Sequence, residues 1–235
     1  MIFSLPKLIC QTSCRPKNMS LFYGDTEESL KNRKDFLSRL NIDHEALVCA
    51  HQVHGDRVNY VGLDDKGKGA LAYEDSIRNT DALITDVPNL PLAIFTADCL
   101  AVFLYDPVNH CLGLVHAGWR GTKEKIVYKT VQAMRGKFKT RPKDLLAGMG
   151  PCIRKCCYKV GEDFQGHFSE GLIRKNHRLY LDLPGINRGQ LREAGLMGSN
   201  IIDSSLCTSC KNNLYFSFRK EGEKAGRMMS VAMLK

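Results

Sequence analysis

A carboxylate, a thiol and an imidazole lie at the ends of two neighbouring apolar segments of this chain. Asp98 and Cys99 interrupt an apolar run that extends from 92 to 105, and His116 closes the next run, at 111–115. Apolar runs of this length, bounded by Pro, Asn and Gly, predict buried strands. Because such polar groups are costly to bury without partners, their position indicates a functional site.

A further imidazole comes from the segment 46–58, where alternation predicts a strand that runs into a loop. His51 and His54 are three residues apart, so we expect at most one of them to point into a shared site. Two imidazoles and one thiolate suit Zn²⁺, with Cu²⁺ as a competitor. Three protein ligands leave a fourth tetrahedral position open, as in catalytic zinc sites. The alternative is a metal-free pair in which Cys99 is the nucleophile and His116 the base.

The spacing of the other cysteines argues against a structural zinc site. Cys207 and Cys210 form one Cys-x-x-Cys pair, but Cys152, Cys156 and Cys157 do not form a second one. Four-cysteine zinc sites are usually built from two such pairs, so we expect neither a structural zinc site nor a redox role here. The chain also lacks a phosphate-binding loop motif and the Gly-x-Ser-x-Gly motif.

The elements that must position these residues are short helices and strands in alternation. Thr26–Leu40 has an acidic first turn, a basic last turn and apolar residues three to four apart, which predicts a helix that turns Arg33 toward the body of the protein. There Arg33 either packs its stem over apolar neighbours or binds an anion. A second helix is predicted at 121–138, and helical segments at 162–168 and 186–194. Further strands are predicted at 80–86, 145–151, 179–183, 213–218 and 228–234. Without repeats or linkers, residues 1–235 predict one mixed α/β domain.

Composition narrows the class of protein. Of the 235 residues, 43% are apolar and 25% charged, and the longest apolar run is too short to span a membrane. The net charge of +9 is spread along the chain, which favours small anionic substrates over nucleic acid. Residues 1–10 are apolar but lack a basic leader, so we expect no signal peptide and a cytoplasmic protein with reduced cysteines. The sequence does not indicate an oligomeric state.

Several motifs, in this order, resemble those of the YfiH family, whose members are also described as multicopper polyphenol oxidoreductases (laccases), purine nucleoside phosphorylases or peptidoglycan editing factors. The motifs that carry the resemblance are Gln-Val-His-Gly at 52–55, Thr-Ala-Asp-Cys-Leu at 96–100 and Val-His-Ala-Gly-Trp-Arg-Gly-Thr at 115–122. It extends through segments at 18–33, 80–83, 150–161, 181–191 and 216–227, and so covers nearly the whole chain.

The resemblance implies a zinc site formed by His54, Cys99 and His116, which selects His54 over His51. It also implies a single-domain α/β fold with mixed sheets between helices, akin to a toxin deamidase. The implied activities are phosphorolysis of adenosine, inosine and methylthioadenosine, and deamination of adenosine. Alternatives are a peptidoglycan-precursor amidohydrolase that uses Cys99 and a copper-dependent polyphenol oxidase. The seven histidines are too few for a multicopper cluster.

These activities suggest roles for further residues. In deamination, an activated water attacks the purine at C6 and a carboxylate moves protons. Asp98 is the nearest candidate for this carboxylate. The alternative role of Asp98 is to form hydrogen bonds at the end of a strand. In phosphorolysis an anion must be held beside the ribose, for which the guanidinium groups of Arg33 and Arg120 are suited, although Arg120 is equally a helix-start surface residue. Tyr158 and Asn187 are candidates to line a purine pocket, with a core position as the alternative.

Overall fold

The computed structural model of the protein describes residues 7–235. The first six residues of the apolar N-terminal stretch, for which we expect no signal peptide, lie outside the described residues. The strands are Leu8–Thr12 (β1), Val48–Cys49 (β2), Val58–Tyr60 (β3), Ala82–Thr85 (β4), Leu92–Thr96 (β5), Leu100–Asp106 (β6), Cys111–Ala117 (β7), Leu146–Met149 (β8), Lys159–Val160 (β9), Leu172–Lys175 (β10), Arg178–Leu181 (β11), Ile201–Asp203 (β12) and Met228–Leu234 (β13). The α-helices are Thr26–Ser38 (α1), Trp119–Lys123 (α2), Ile126–Phe138 (α3), Leu183–Glu193 (α4) and Phe218–Glu221 (α5).

The centre of the fold is a six-stranded mixed sheet in the order β12-β8-β6-β7-β4-β3. Its inner strands β6 and β7 form an antiparallel hairpin, and every residue of these two strands is buried. Both faces are apolar because both are covered. Val102 and Leu104 share a core with residues of α3 and α4, whereas Phe103 packs with residues of β5 and β13 on the opposite face. Continuous apolar runs are typical of such doubly covered strands.

A four-stranded sheet in the order β1-β13-β5-β2 covers that opposite face, and a small three-stranded sheet, β10-β11-β9, completes the fold. The chain crosses from the four-stranded to the six-stranded sheet between the end of β5 and the start of β6. Asp98 lies in this crossing with a φ of 88°, in the left-handed region that non-glycine residues rarely adopt. Such backbone positions are costly and persist only where surrounding contacts hold them.

The mixed α/β fold class is confirmed, and so are the first helix, the strand at 111–115 and the last strand. The apolar run 92–105 forms two strands, β5 and β6, which lie in different sheets. Two predictions are wrong. The segment 121–138 is not one helix, because Lys125 takes a φ of 59° and separates α2 from α3. The segment 213–218 is not a strand: the amides of Leu214 and Tyr215 bond to the carbonyl of Lys211, so the chain turns there before α5. The strand predicted at the start of the segment 46–58 is reduced to the two residues of β2.

Among the helices of residues 7–235, none has the length and the apolar character needed to cross a membrane.

Candidate functional site

Three side chains that are distant in the sequence converge at one end of the central hairpin. One ligand atom from each of His54, Cys99 and His116 lies within 4.8 Å of the others. The antiparallel pairing of β6 and β7 places the start of one strand beside the end of the other, so Cys99 and His116 become neighbours. The turn before β3 brings in His54, whose ring centroid lies 4.8 Å from that of His116. The structure thus brings together the three residues that were predicted as metal ligands.

Asp81 holds two of these residues in place. This buried carboxylate lies 2.7 Å from Nδ1 of His116, which leaves Nε2 of that ring for a ligand. It also accepts hydrogen bonds from the backbone N–H groups of Val53, His54 and Gly55. A carboxylate behind a metal-binding histidine fixes the ring orientation and raises its basicity. The sequence analysis assigned no role to Asp81; an isolated Asp just before a buried strand was the only local signal.

Interactions within the protein favour the ionised forms of Cys99 and His116. Burial raises the pKa of the Cys99 thiol, but the imidazoles of His116 and His54 outweigh burial and lower it to about 6. Burial lowers the pKa of His116, whereas the Cys99 thiolate and the Asp81 carboxylate together raise it to about 9. The thiolate is the form of cysteine that binds metal ions, so the lowered pKa of Cys99 favours a divalent cation at this site. His116 would release its proton when it binds the ion, because only the neutral imidazole is a ligand. Two nitrogens and one thiolate sulfur match the ligands of a catalytic zinc site.

The backbone of Gly118 packs directly against this cluster. A Cβ atom at this position would lie 3.0 Å from Cδ2 of His54 and 3.1 Å from Sγ of Cys99. Any larger residue would therefore push two of the three ligands, and glycine is required here by this close approach rather than by its φ.

The cluster opens into a cavity of about 650 Å³, a size common for small-molecule sites. Besides His54, Cys99 and His116, its wall contains many aromatic and several basic side chains. The aromatic ones are Phe22, Tyr23, Tyr73, Phe95, Trp119, Tyr158 and Phe218, and the arginines are Arg33, Arg120, Arg219 and Arg227. Aromatic faces suit a flat heterocycle, and the guanidinium groups suit an anion.

Two of the candidate site residues are held by protein contacts. Arg33 lines the cavity, but its guanidinium donates to the carbonyls of Met19, Gly69 and Ala70. Binding an anion there would require these contacts to be replaced. Asp98 is buried and lines the cavity; its Oδ1 accepts from the hydroxyl of Thr208 and its Oδ2 from the amide of Arg219. These contacts explain how the left-handed backbone at Asp98 is maintained.

The other candidates differ in position. Arg120 is exposed at the start of α2, with its guanidinium 4.8 Å from the Trp119 ring, and makes no ion pair with any residue of 7–235. Tyr158 lines the cavity, whereas Asn187 is not among the described residues that do so. Its amide donates to the Thr122 hydroxyl and to the Leu183 carbonyl in the core. The prediction that Asn187 lines a purine pocket is therefore wrong; its core alternative is the one observed.

His51 lies apart from the cluster, since its ring packs at 4.8 Å on Tyr73 in the aromatic wall. Arg219 was missed because its residue type gives no signal by itself; it reaches the cavity from α5, with its guanidinium 5.4 Å from the Tyr158 ring.

Fold and site together define a mixed α/β protein with two histidines and a cysteine clustered at the base of an aromatic, basic cavity. Comparisons with known proteins give a consistent result. A family model described as multi-copper polyphenol oxidoreductase laccase matches residues 9–235. Purine nucleoside phosphorylase YlmD of Bacillus subtilis (strain 168) is 36% identical over 227 residues, which are 93% of this chain and 82% of that protein. The chain therefore belongs to the family described by this model, which is the family that the sequence motifs resemble.

Two further relatives bear on fold and activity. The crystal structure of YlmD from Geobacillus stearothermophilus superposes with a TM-score of 0.94 at 30% identity, covering 98% of this chain and 93% of the other. A protein named adenosine deaminase RL5, from an unknown prokaryotic organism, is 29% identical over 220 residues, which are 89% of this chain and 84% of that protein.

Proposed function

We propose that this protein is a zinc-dependent purine nucleoside enzyme that deaminates adenosine and cleaves adenosine, inosine and methylthioadenosine with phosphate. One observation carries the proposal: His54, Cys99 and His116 converge at the wall of a cavity that also offers aromatic faces and guanidinium groups. The names of the relatives, purine nucleoside phosphorylase and adenosine deaminase, support the choice of substrate.

In this proposal His54, Cys99 and His116 hold the metal ion, and Asp81 orients His116 through Nδ1. A bound zinc ion supplies a Lewis acid that lowers the pKa of water toward neutrality. Cu²⁺ would compete for the same donors, since a given set of nitrogen and sulfur ligands generally binds Cu²⁺ more tightly than Zn²⁺.

In deamination, water adds to C6 of the purine, ammonia leaves and inosine is formed. The aromatic side chains of the cavity hold the purine by stacking and exclude bulk water. Asp98 is the candidate for moving protons, because it lines the cavity and directly precedes Cys99 in the sequence. The hydrogen bonds from Thr208 and Arg219 support the alternative role of Asp98, which is to hold the segment between β5 and β6 that carries Cys99.

In phosphorolysis, a phosphate oxygen bonds to C1′ of the ribose while the bond from C1′ to the purine nitrogen breaks, which gives the free base and ribose 1-phosphate. Phosphate must therefore be held on the ribose side of the purine. Arg120 and Arg219 are the better placed guanidinium groups, because Arg33 already donates to three carbonyls, whereas Arg219 donates to one, that of Lys159. Arg120 meets no carboxylate of residues 7–235 within ion-pair distance, so its charge is available to a ligand.

One observation favours a second candidate, a cysteine amidohydrolase that acts on peptidoglycan precursors. The lowered pKa of Cys99 and the raised pKa of His116 are those of a thiolate–imidazolium pair, which is also the arrangement of a cysteine nucleophile and its base. Labelling of Cys99 by an amide-mimicking electrophile in active, metal-free protein would support this candidate against the zinc enzyme.

The test combines metal analysis of the purified protein with identification of the products formed from adenosine. We expect inosine and ammonia without phosphate, and adenine with ribose 1-phosphate when phosphate is added. His116→Ala should remove metal from this site and abolish both reactions, and His177→Ala, at an exposed turn far from the cluster in sequence, is the matched control. Full activity of metal-depleted His116→Ala protein would reject the zinc mechanism.

A further inference from the structure

A second group of potential metal ligands lies outside the site described above. Cys156, Cys157, Cys207 and Cys210 come together with all four sulfur atoms within 4.8 Å of one another. A four-cysteine group was not expected from the sequence, because Cys156 and Cys157 are adjacent and do not form a Cys-x-x-Cys pair. The parallel bridge between Cys152 and Cys207 aligns the two segments and brings the adjacent pair onto the Cys-x-x-Cys pair.

We propose that these four cysteines bind a second, structural Zn²⁺ ion as a tetrathiolate site, separate from the site of His54, Cys99 and His116.

The distances between the sulfur atoms match such a site. A zinc–sulfur bond of about 2.3 Å in tetrahedral geometry separates the sulfur atoms by roughly 3.8 Å. Cys210 Sγ lies 3.6 Å from Cys156 Sγ and 3.3 Å from Cys157 Sγ, and the remaining pairs are within the same 4.8 Å. A disulfide would require about 2.05 Å, and all ten cysteines, each in the described part of the chain, are free thiols. The cluster is thus too loose for a bond between sulfurs and has the size of a metal cage.

Backbone donors and basic residues lie near these sulfur atoms. The backbone N–H groups of Cys210 and Arg154 bond to the sulfur of Cys207. Arg154, Lys155 and Lys211 flank the ligands in sequence, and the first two are paired with Asp203 and Asp182. Binding displaces the thiol protons to solvent, with no change in oxidation state.

The position of the site explains what it does for the fold. Cys207 is buried, while Cys156 and Cys210 are exposed and leave an entry path for the ion. One of the two joined segments reaches the cavity, and the other contacts a residue that lines it. Tyr158, which follows Cys157, lines it, and Thr208, which follows Cys207, donates to Asp98. A zinc ion here would link two loops that lie next to the segment between β5 and β6, which carries Asp98 and Cys99.

The test uses a chain in which the first site is disabled, so that any remaining zinc reports on the second. In His54→Ala/His116→Ala protein, purified under reductant, we expect about one zinc per chain, and X-ray absorption at the zinc edge should give four sulfur neighbours at about 2.3 Å. Adding Cys156→Ser and Cys210→Ser should reduce the zinc content at least about tenfold. Adding Cys14→Ser instead, at an exposed cysteine outside both clusters, should leave it unchanged.

If the histidine variants do not fold, the same comparison is made on the otherwise unaltered protein. Cys156→Ser/Cys210→Ser should then lose one zinc equivalent, and after cobalt substitution the sulfur-to-cobalt charge-transfer absorption should fall by more than half. Zinc bound with nitrogen ligands only, four reduced thiols without zinc, or a disulfide between the two segments would each overturn the proposal. Because the readout is metal content, it is independent of whether the protein acts on nucleosides.

Discussion

Replacing Asp81 by Asn tests whether the first site depends on a residue that does not itself touch the metal. The two carboxylate oxygens of Asp81 meet four donors: Nδ1 of His116 and the backbone N–H groups of Val53, His54 and Gly55. Asparagine keeps one acceptor oxygen and places an NH₂ group against the other donors. At least two hydrogen bonds to a charged group are therefore lost.

The magnitude follows from these contacts. Each hydrogen bond to a charged group contributes about 1.5–3 kcal/mol, so the loss of two lowers the free energy of unfolding by about 3 kcal/mol or more. In a chain of this length that corresponds to a decrease in Tm of roughly 6–12 °C. Loss of a carboxylate partner of a metal-binding histidine typically weakens metal binding about 10–100-fold. We expect the same loss of zinc affinity here, because both His116 and the turn of His54 lose their support.

The assay is a zinc titration against a competing chromophoric chelator, below the unfolding temperature, with circular dichroism to confirm folding. Asp86→Asn is the matched control, since Asp86 is an exposed aspartate just past the other end of β4, where it accepts from the Tyr60 hydroxyl. It should leave zinc affinity unchanged. If Asp81→Asn protein is folded and binds zinc within about twofold of the original affinity, Asp81 does not orient the ligands as described.

Three further predictions concern the ligands and the cavity. Gly118→Ala should weaken zinc binding at the first site, because its Cβ would lie 3.0–3.1 Å from His54 and Cys99 and displace these two ligands. The control is Gly136→Ala in α3, where a Cβ meets nothing within 4 Å and should stabilise the helix by up to about 1 kcal/mol. Equal zinc affinity in both variants would contradict the prediction. In metal-free protein the lowered pKa of Cys99 means that the thiolate is lost only below about pH 6, so iodoacetamide should label Cys99 from about pH 6 upward. His116→Ala should shift the onset of labelling to higher pH, because the imidazole lowers the pKa of the thiol. An unshifted onset would refute this role of the imidazole. Arg120→Ala should raise KM for phosphate about 10–100-fold and leave deamination of adenosine nearly unchanged. The control is Arg174→Ala, at a residue in an exposed ion pair with Glu162, which should alter neither reaction. Parallel loss of both reactions in Arg120→Ala protein would show that Arg120 does not act specifically in phosphate binding.

The features that could be predicted from the sequence are those written into short stretches of it. Strands β6 and β7 are continuous apolar runs because both of their faces are buried, and the hairpin between them places Cys99 beside His116. The capped, amphipathic segment of α1 also has a local signature: Asp25 accepts from the amide of Glu28 at its start. These elements needed no knowledge of distant contacts.

What could not be predicted depends on contacts between distant residues. The donors around Asp81 come from 26 to 35 residues away, so a single Asp before a strand does not reveal its role. The four-cysteine cluster joins segments about fifty residues apart, and the adjacent pair Cys156–Cys157 does not follow the spacing of two Cys-x-x-Cys pairs. The segment 213–218 is aromatic enough to predict a strand, yet it belongs to none of the sheets formed by residues 7–235. Asn187 had a polar side chain that sequence alone could not distinguish from a cavity residue.

The most direct test of the account is an anomalous difference map at the zinc edge, from crystals of protein that turns over adenosine. The proposed zinc site requires a peak about 2.0–2.1 Å from one imidazole nitrogen each of His54 and His116 and about 2.3 Å from Sγ of Cys99, with its remaining side open to the cavity. Crystals of fully active protein with no metal peak between these three side chains would contradict it.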